Sequence, residues 1–433
     1  MRVDNWHALA ENNAIEWNNG SCVTYGELSV AIEQRKHQLS QMEELFFIIP
    51  MGRKLETIID LFAVIGLNKI FIPVEENVSE QKLRQLAQHF PAIVVLTDND
   101  ICFHGKAAYT KLPNDTLFIA FTSGTTGEEK GFIRNHASWV ASFARFRTVK
   151  QFAGERVACL SPLNYTLGLY TLLETFYLGK TFLLEAVSFP ELLEQQKSPL
   201  EICGVPSIFR LAFQKKAFYS DQQFLFNLGG ESFDPYLNEQ FQKNYPNSSV
   251  LTYYGASETS FIAYQFRSGA MDKEAILFPD VDVHIKNPDE NGIGEINITS
   301  PMTFSGYYEY GKINPATELV STGDLGYLDR SLVYLGRKDD QINRGGEKVF
   351  AQQVKEQLMG HPEVKDVRVS KKEDRVFGEK ILVDVVWKET AQSLEELNRY
   401  LQEKTIRKIR IDELYNVEAI ELSHSGKAKR RER

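Results

Sequence analysis

The 433-residue chain is predicted to be an α/β protein, from three features of its sequence. Apolar, β-prone runs alternate with helix-like segments through the first half, a pattern typical of βαβ units around a parallel sheet. After Val281, short segments of alternating polarity indicate a smaller antiparallel piece. Beyond residue 338 a compact α+β unit follows. We therefore expect a large N-terminal domain over residues 1–338 and a small, mobile C-terminal domain over residues 339–433.

The individual elements are predicted from apolar periodicity and from the turn residues that bound each run. The expected strands are 21–24, 46–50, 69–74, 92–96, 117–121, 157–160, 181–184, 224–230, 250–252, 281–286, 294–300, 364–369 and 381–387. The expected helices are 25–39, 55–65, 80–89, 137–147, 170–177, 206–213, 235–244, 352–359 and 394–407. The polar, glycine-containing stretch 336–346 is predicted to be a linker.

Composition excludes several classes of protein. The formal net charge is −9, which provides no basic footprint for nucleic acid or a membrane surface. No apolar stretch reaches the length of a membrane span, and the first residues lack the layout of a signal peptide. The four cysteines are far apart in sequence, as expected of reduced thiols rather than zinc ligands or disulfides. We expect a cytoplasmic protein with no metal beyond ions that arrive with a substrate.

The most informative stretch is a candidate phosphate loop. The apolar strand Leu117–Phe121 leads into six small or hydroxylated residues and then a lysine: Thr122, Ser123, Gly124, Thr125, Thr126, Gly127 and Lys130. Glycines let the backbone bend, so that amides, hydroxyls and the ammonium can converge on phosphate oxygens. The spacing differs from a Walker loop, because Glu129 stands where that motif requires its second glycine.

Five further stretches carry candidate chemistry. Gly229–Glu231 and Tyr254–Glu258 each follow a strand, at the sheet edge where ligands bind in open α/β sheets. Asp324 offers two acceptor oxygens to vicinal hydroxyls, Arg337 offers a fork of donors, and Lys427 lies in a polar tail. Any one of these alone is as readily a turn, a surface ion pair or a solvated tail, so their meaning depends on their order and spacing.

The ordered series resembles the core motifs of the adenylate-forming, or AMP-binding, superfamily. The matching stretches are Thr24–Leu28, Thr122–Gly131, Tyr254–Glu258, Gly306–Tyr307, Thr322–Asp324, Gly336–Asp339 and Gly426–Lys427. That superfamily includes acyl-CoA synthetases, peptide-synthetase adenylation domains and luciferases. The chain departs from the usual pattern at Ser257, where threonine is common, and it is short for the family.

The resemblance implies a role for each matching residue. Residues Thr122 to Lys130, Thr126 among them, would hold the β- and γ-phosphates of ATP, and Glu258 would bind Mg²⁺. Tyr254, Gly255, Ser257 and the Gly229, Gly230 and Glu231 backbone would flank adenine and the reacting groups. Asp324 and Arg337 would hold the ribose, Asp339 would be the hinge, and Lys427 would stabilise charge during adenylation. The implied reaction forms an acyl-adenylate and then transfers the acyl group to the thiol of CoA or of a carrier-protein phosphopantetheine.

The acid itself is predicted from the stretch Ser161–Leu169. It contains no acidic residue to pair with a substrate ammonium, which disfavours an α-amino acid. Asn164 and Tyr165 resemble the segment with which aryl-acid adenylating enzymes read a ring hydroxyl. Gln341–Val349 is similar to the form found in dihydroxybenzoate-activating enzymes of siderophore biosynthesis. An aryl acid is therefore the first choice, and a fatty or other aliphatic acid is the second.

Two other classes of protein remain as alternatives. A luciferase-like oxygenase would use the same adenylation chemistry and would be detected by light emission or oxygen uptake. An inactive nucleotide-binding module would be expected to have lost its key charged side chains, yet Lys130, Glu258, Asp324 and Lys427 are all present.

Overall fold

The computed structural model describes residues 4–97, 100–108, 111–123, 129–150, 152, 154–185, 189–195, 199–215, 218–267, 275–404 and 409–421. Within these residues the chain forms ten α-helices and 26 strands, numbered in chain order. The helices are α1 Tyr25–Leu39, α2 Leu55–Gly66, α3 Glu80–Ala87, α4 His136–Lys150, α5 Thr166–Tyr177, α6 Phe189–Gln195, α7 Pro206–Lys215, α8 Pro235–Asn244, α9 Ala351–Met359 and α10 Leu394–Lys404.

The strands fall into an earlier group that builds the two large sheets and a later group that builds two small ones. The earlier group is β1 Asn13–Glu16, β2 Cys22–Thr24, β3 Phe46–Pro50, β4 Ile70–Val74, β5 Ala92–Val95, β6 Ile101–His104, β7 Thr116–Ser123, β8 Glu129–Asn135, β9 Arg156–Cys159, β10 Thr181–Leu183, β11 Leu200–Gly204, β12 Phe224–Gly229, β13 Ser249–Ala256, β14 Ser260–Arg267 and β15 Ile276–Leu277. The later group is β16 Asp282–Lys286, β17 Gly294–Thr299, β18 Gly306–Glu309, β19 Lys312–Pro315, β20 Val320–Leu328, β21 Leu332–Arg337, β22 Gln341–Arg344, β23 Glu347–Phe350, β24 Val364–Asp374, β25 Gly378–Trp387 and β26 Glu413–Asn416. Of this later group, β18 and β19 join a large sheet.

Both large sheets have parallel centres and antiparallel edges. The nine-stranded sheet has the order β15-β14-β13-β12-β11-β9-β10-β1-β2, and its strands from β13 to β1 run parallel. The eight-stranded sheet has the order β19-β18-β8-β7-β4-β3-β5-β6. Parallel neighbours require crossover helices, and these cover the sheet faces and bury apolar strands such as β3 and β12. The α/β prediction is confirmed.

Local sequence explains where helices begin. Thr24 caps α1 in a capping box with Glu27, each side chain bonding the other residue's backbone. Asp234 caps α8 by accepting from the Leu237 amide, with Pro235 at the first helical position. Both helices begin where the sequence predicted.

Two small sheets complete the chain. The antiparallel sheet β16-β17-β20-β21 confirms the expected antiparallel piece. The last sheet, β23-β22-β25-β24 with β26 beside β25, packs α9 and α10 around its own apolar core, which includes Ile342, Val354 and Leu397. Contact with the preceding part includes the Gln352 amide, which donates to the Ser232 hydroxyl at 2.5 Å.

The prediction of a linker over 336–346 is wrong. Strand β21 continues to Arg337, a 3₁₀ turn covers Lys338–Asp340, and β22 starts at Gln341. Gly345 and Gly346, with φ of +59° and +87°, form the two-residue turn of the β22–β23 hairpin. Positive φ at both turn positions is the geometry that twisted hairpins favour, which explains the paired glycines.

Candidate active site

One cavity of about 2240 Å³ collects the predicted site residues. Those that line it are Lys130, Asn164, Tyr165, Gly229, Gly230, Glu231, Tyr254, Gly255, Ser257, Glu258, Asp324, Arg337 and Asp339. Thr122 and Ser123 end strand β7. Gly124, Thr125, Thr126 and Gly127 lie outside the described residues, as does Lys427. Residues more than 200 positions apart in sequence thus meet at the ends of several strands.

The Asp324 carboxylate is the most completely built feature of this cavity. Its residue faces Arg337 across the β20–β21 ladder, and the Arg337 Nε lies 3.0 Å from Asp324 Oδ1. The Tyr254 hydroxyl donates to Asp324 Oδ2 at 2.6 Å. Oδ1 is buried and lies within ion-pair distance of Arg337, although it receives no aligned hydrogen bond from the described residues. The carboxylate is therefore held in place at the border of the cavity.

Burial controls the ionisation of this cluster. Burial raises the pKa of Asp324, and the charge of Arg337 and the hydrogen bond from Tyr254 oppose that rise. Burial, and then the Asp324 charge, raise the pKa of Tyr254, so its phenol remains a hydrogen-bond donor. Glu258 is close enough to influence the pKa of both Asp324 and Arg337. The site thus places two carboxylates and one guanidinium within electrostatic reach of each other.

Glu258 lies on the turn between β13 and β14 with its carboxylate toward the cavity. Its Oε1 accepts one hydrogen bond, from the Tyr307 hydroxyl at 3.2 Å. Oxygen atoms are left for another partner, and a carboxylate beside phosphate oxygens is the donor set that Mg²⁺ uses in nucleotide sites. The described residues contain no cluster of three or more metal-ligating side chains. A magnesium ion here would therefore depend on Glu258 together with substrate oxygens.

Two glycines are required by the shape of the site. Gly230 has a φ of +83°, which lets the chain turn sharply after β12. A Cβ on Gly255 would lie 1.8 Å from the Ser260 carbonyl oxygen, so only glycine fits where the β13–β14 hairpin closes. In both places the missing side chain lets the backbone border the cavity.

The loop before α5 forms another wall. Asn164 lies in a turn and lines the cavity, and Tyr165 stands at the N-cap position of α5. The Thr166 and Ser257 hydroxyls are hydrogen-bonded at 2.8 Å, which joins this loop to the Tyr254–Glu258 segment. Behind them, Tyr170 packs against Trp139 and Phe261 with ring centroids 5.5 Å and 5.0 Å apart. This wall is aromatic and carries no carboxylate from the 161–169 stretch.

Sequence reasoning missed a fully buried arginine next to the site. Arg134 on β8 donates to the carbonyl oxygens of Ser257 and Glu258, both at 3.1 Å, and to that of Met302 at 2.8 Å. It also donates to the Ser260 hydroxyl at 2.6 Å. A signal was present: Arg134 directly follows the apolar pair Phe132–Ile133. On a strand with alternating side chains it lies on the same face as Lys130.

Comparison with known proteins identifies the class. A family model described as "AMP-binding enzyme" matches residues 103–308. VraA of Staphylococcus aureus (strain MRSA252), provisionally named a long chain fatty acid-CoA ligase, is 30% identical over 353 residues, 78% of this chain and 76% of the relative. The protein of the same name from Staphylococcus epidermidis is 27% identical over 423 residues, covering 95% of this chain and 92% of the relative.

A solved structure agrees in fold. ATP-bound MatB from Rhodopseudomonas palustris superposes with a TM-score of 0.81 at 18% identity, covering 99% of this chain and 97% of MatB. The chain belongs to the AMP-binding enzyme family, and its class of enzyme is that of the AMP-forming acid–thiol ligases. No helix in the described parts of the chain is long and apolar enough to cross a membrane.

Proposed function

We propose that this chain activates a small carboxylic acid with ATP and passes the acyl group to a phosphopantetheine thiol, either of CoA or of a carrier protein. In the first step a carboxylate oxygen bonds to the α-phosphorus of ATP, and pyrophosphate leaves. In the second step the thiol sulfur bonds to the acyl carbon, AMP leaves, and the thiol proton passes to solvent. Neither step requires a nucleophile from the protein, so positioning and electrostatics carry the catalysis.

The observation that carries the proposal is the Asp324 carboxylate, which lines the cavity and is held by Arg337 and Tyr254. An ionised carboxylate has two acceptor oxygens with several lone pairs, so vicinal hydroxyls of a ribose can donate to it beside these partners. Tyr254 packs against Tyr334 with centroids 5.1 Å apart, which provides aromatic surface for a base next to that position. Glu258, on the segment that follows Tyr254, would bind Mg²⁺ against the phosphates, which this ion would help neutralise.

The remaining roles follow from placement in the same cavity. Lys130, and residues 122–127 before it, would hold the β- and γ-phosphates, with Gly229, Gly230 and Glu231 beside the adenine. Ser257 and Gly255 would border the reacting carboxylate. Lys427 would stabilise the charge of adenylation from the small domain, residues 339–433. Asp339, in the 3₁₀ turn between the sheets ending at Arg337 and starting at Gln341, would be the hinge.

We propose an aryl acid as the substrate. Asn164 and Tyr165 line the cavity on the loop before α5, where an amide can hydrogen-bond a ring hydroxyl. Tyr170 packs against both Trp139 and Phe261 behind that loop, which supports a compact, flat acid better than an extended chain. A dihydroxybenzoate-type acid would connect the enzyme to siderophore biosynthesis.

A long-chain fatty acid is the second candidate. It is favoured by the names of the VraA relatives, which are 27% and 30% identical to this chain over most of its length. The two candidates differ in what the cavity must satisfy, because a hydroxyaryl acid pairs with Asn164 and an aliphatic acid leaves that amide without a ligand partner. This difference makes Asn164 the residue to test.

The test compares acids before and after Asn164→Ala. A site built for a substrate hydroxyl can reject the analogue lacking it by up to ~10⁴-fold, far more than one methylene discriminates. Asn164→Ala should therefore lower kcat/KM mainly for hydroxybenzoates, narrow their advantage over benzoate, and leave the KM for ATP nearly unchanged. Asn77→Ala is the matched control, since Asn77 also lines the cavity but lies on the chain after β4 and not on the loop before α5. A wild-type preference for long aliphatic acids would reject the aryl-acid proposal and leave the fatty-acid candidate.

A further inference from the structure

We propose that Arg134 is a positioning residue that fixes the Glu258 carboxylate for nucleotide and magnesium binding. This inference rests on the proposed function, because it assumes that Glu258 meets the metal. Arg134 does not line the cavity, so it would act through the backbone of the turn that carries Glu258 rather than by touching substrate.

The Arg134 guanidinium fastens this turn to the rest of the protein. One terminal nitrogen donates to the carbonyl oxygens of Ser257 and Glu258, and the other donates to the Ser260 hydroxyl and the Met302 carbonyl. The turn is further held by the Phe304 amide, which donates to the Glu258 carbonyl at 2.7 Å. Ser260, with a φ of +58°, is strained without such support, since non-glycine residues seldom adopt that backbone.

Burying the Arg134 guanidinium costs more free energy than a role in stability alone would explain. Arg134 is 0% exposed, its Nε–H makes no hydrogen bond in the described structure, and its hydrogen-bond acceptors are uncharged. Burial lowers its pKa to about 9, and the Glu258 charge acts in the opposite direction. Arg134 therefore anchors the backbone of the Glu258 turn, and its guanidinium lies close enough to the Glu258 carboxylate for the two to interact electrostatically.

Strand β8 connects the Arg134 contacts to the candidate phosphate loop. Successive side chains on a strand alternate between faces, so Lys130, Phe132 and Arg134 share one face. Lys130 and Phe132 line the cavity, and Arg134 continues the row beneath the Glu258 turn. One rigid element thus sets the distance between the proposed phosphate ligand Lys130 and the proposed metal ligand Glu258.

The experiment measures binding of the non-reacting analogue α,β-methylene-ATP by calorimetry, with and without Mg²⁺. Partners that orient a metal ligand typically contribute 10- to 100-fold in metal affinity, so Arg134→Met should reduce the Mg²⁺-dependent gain in affinity by about that factor. Binding without Mg²⁺ should change little. Arg134→Lys keeps the charge but lacks the planar fork, and it should recover part of the gain. If Arg134→Met does not fold, Arg134→Lys carries the test alone.

Two further variants make the result decisive. Glu258→Gln should lose the same Mg²⁺-dependent gain, and combining it with Arg134→Met should cause no additional loss. Arg35→Met is the control for removing a poorly exposed arginine, because Arg35 bonds Asp60 and Asp100 elsewhere in the protein; it should lower the melting temperature and leave both affinities unchanged.

The inference is overturned if Arg134→Met weakens binding equally with and without Mg²⁺, if only its melting temperature falls, or if the two losses add. It is also overturned if Glu258→Gln keeps the full gain. Failure of the proposed function has a different signature: the Mg²⁺-dependent binding would persist in the wild type, but no acid would support pyrophosphate exchange.

Discussion

Asp324→Asn replaces a carboxylate by an amide of the same shape where the ribose hydroxyls are proposed to bind. A hydrogen bond to a charged group contributes about 1.5–3 kcal/mol, against about 0.5–1.5 kcal/mol between neutral groups. Loss of charge should therefore cost about 1 kcal/mol for each of two hydroxyls, or about 2 kcal/mol in total. At 1.4 kcal/mol per factor of ten, the Kd for ATP should rise about 30-fold.

The assay compares the Kd of ATP with that of 2′,3′-dideoxy-ATP, by calorimetry on wild type and variant. Because the dideoxy nucleotide lacks both hydroxyls, its affinity should change little, and the wild-type preference for ATP should largely disappear in the variant. Asp282→Asn, at an exposed aspartate of the same sheet, is the matched control and should alter neither Kd. Equal weakening of the two nucleotides would refute a ribose contact and would indicate a general effect of leaving Arg337 without its ion pair.

Three other changes probe the two half-reactions and the fold. Lys427→Ala should reduce acid-dependent pyrophosphate exchange by orders of magnitude and spare thiolysis of a supplied acyl-adenylate; equal loss in both would reject an adenylation role. Asp339→Pro fixes φ near −65°, which suits the 3₁₀ turn, so it should retain this arrangement and stall one half-reaction when the two are timed separately. Wild-type rates in both would place the hinge elsewhere. Burial lowers the pKa of His136 from 6.5 to about 4, so the folded protein favours the neutral ring. The contribution of His136 to the free energy of unfolding is therefore complete above pH 6.5 and is lost as the pH falls toward 4. His136→Asn should flatten that part of the pH dependence of the free energy of unfolding measured with urea, and an unchanged slope would contradict it.

Most of the fold could be predicted because its helices and central strands carry strong local signals. Helix α1 begins at its Thr24 cap, and β3 is an uninterrupted apolar run, as buried parallel strands are. Strands β8, β11 and β14 were among those missed. Each contains charged or polar residues that are acceptable only because a neighbouring strand or a buried partner satisfies them, which is a tertiary property. The 336–346 stretch was misread as a linker because paired glycines suit either a flexible segment or a tight hairpin turn.

Part of the candidate site could likewise be predicted from the sequence, and part could not. The resemblance to the family was enough to predict that Asp324 and Arg337 would lie close together, because it implied that both hold the ribose. The contacts of the Asp324 carboxylate with Arg337 and Tyr254 depend on side-chain geometry that no spacing reveals. Arg134 was passed over because a single arginine on a strand matches no motif, and its significance lies in three carbonyl groups from two distant segments. The identity of the acid depends on how side chains fill one wall of the cavity, and a few substitutions there would change it.

Acid-dependent exchange of radiolabelled pyrophosphate into ATP tests the central claim most directly. Wild-type protein should be assayed with Mg²⁺ and a panel of hydroxybenzoates, benzoate, medium- and long-chain fatty acids and amino acids. We predict exchange that requires an acid and is strongest with a hydroxybenzoate. Once CoA or a carrier-protein thiol is added, the same enzyme should yield AMP and a thioester. Absence of exchange with every acid, or release of ADP in place of AMP, would contradict it.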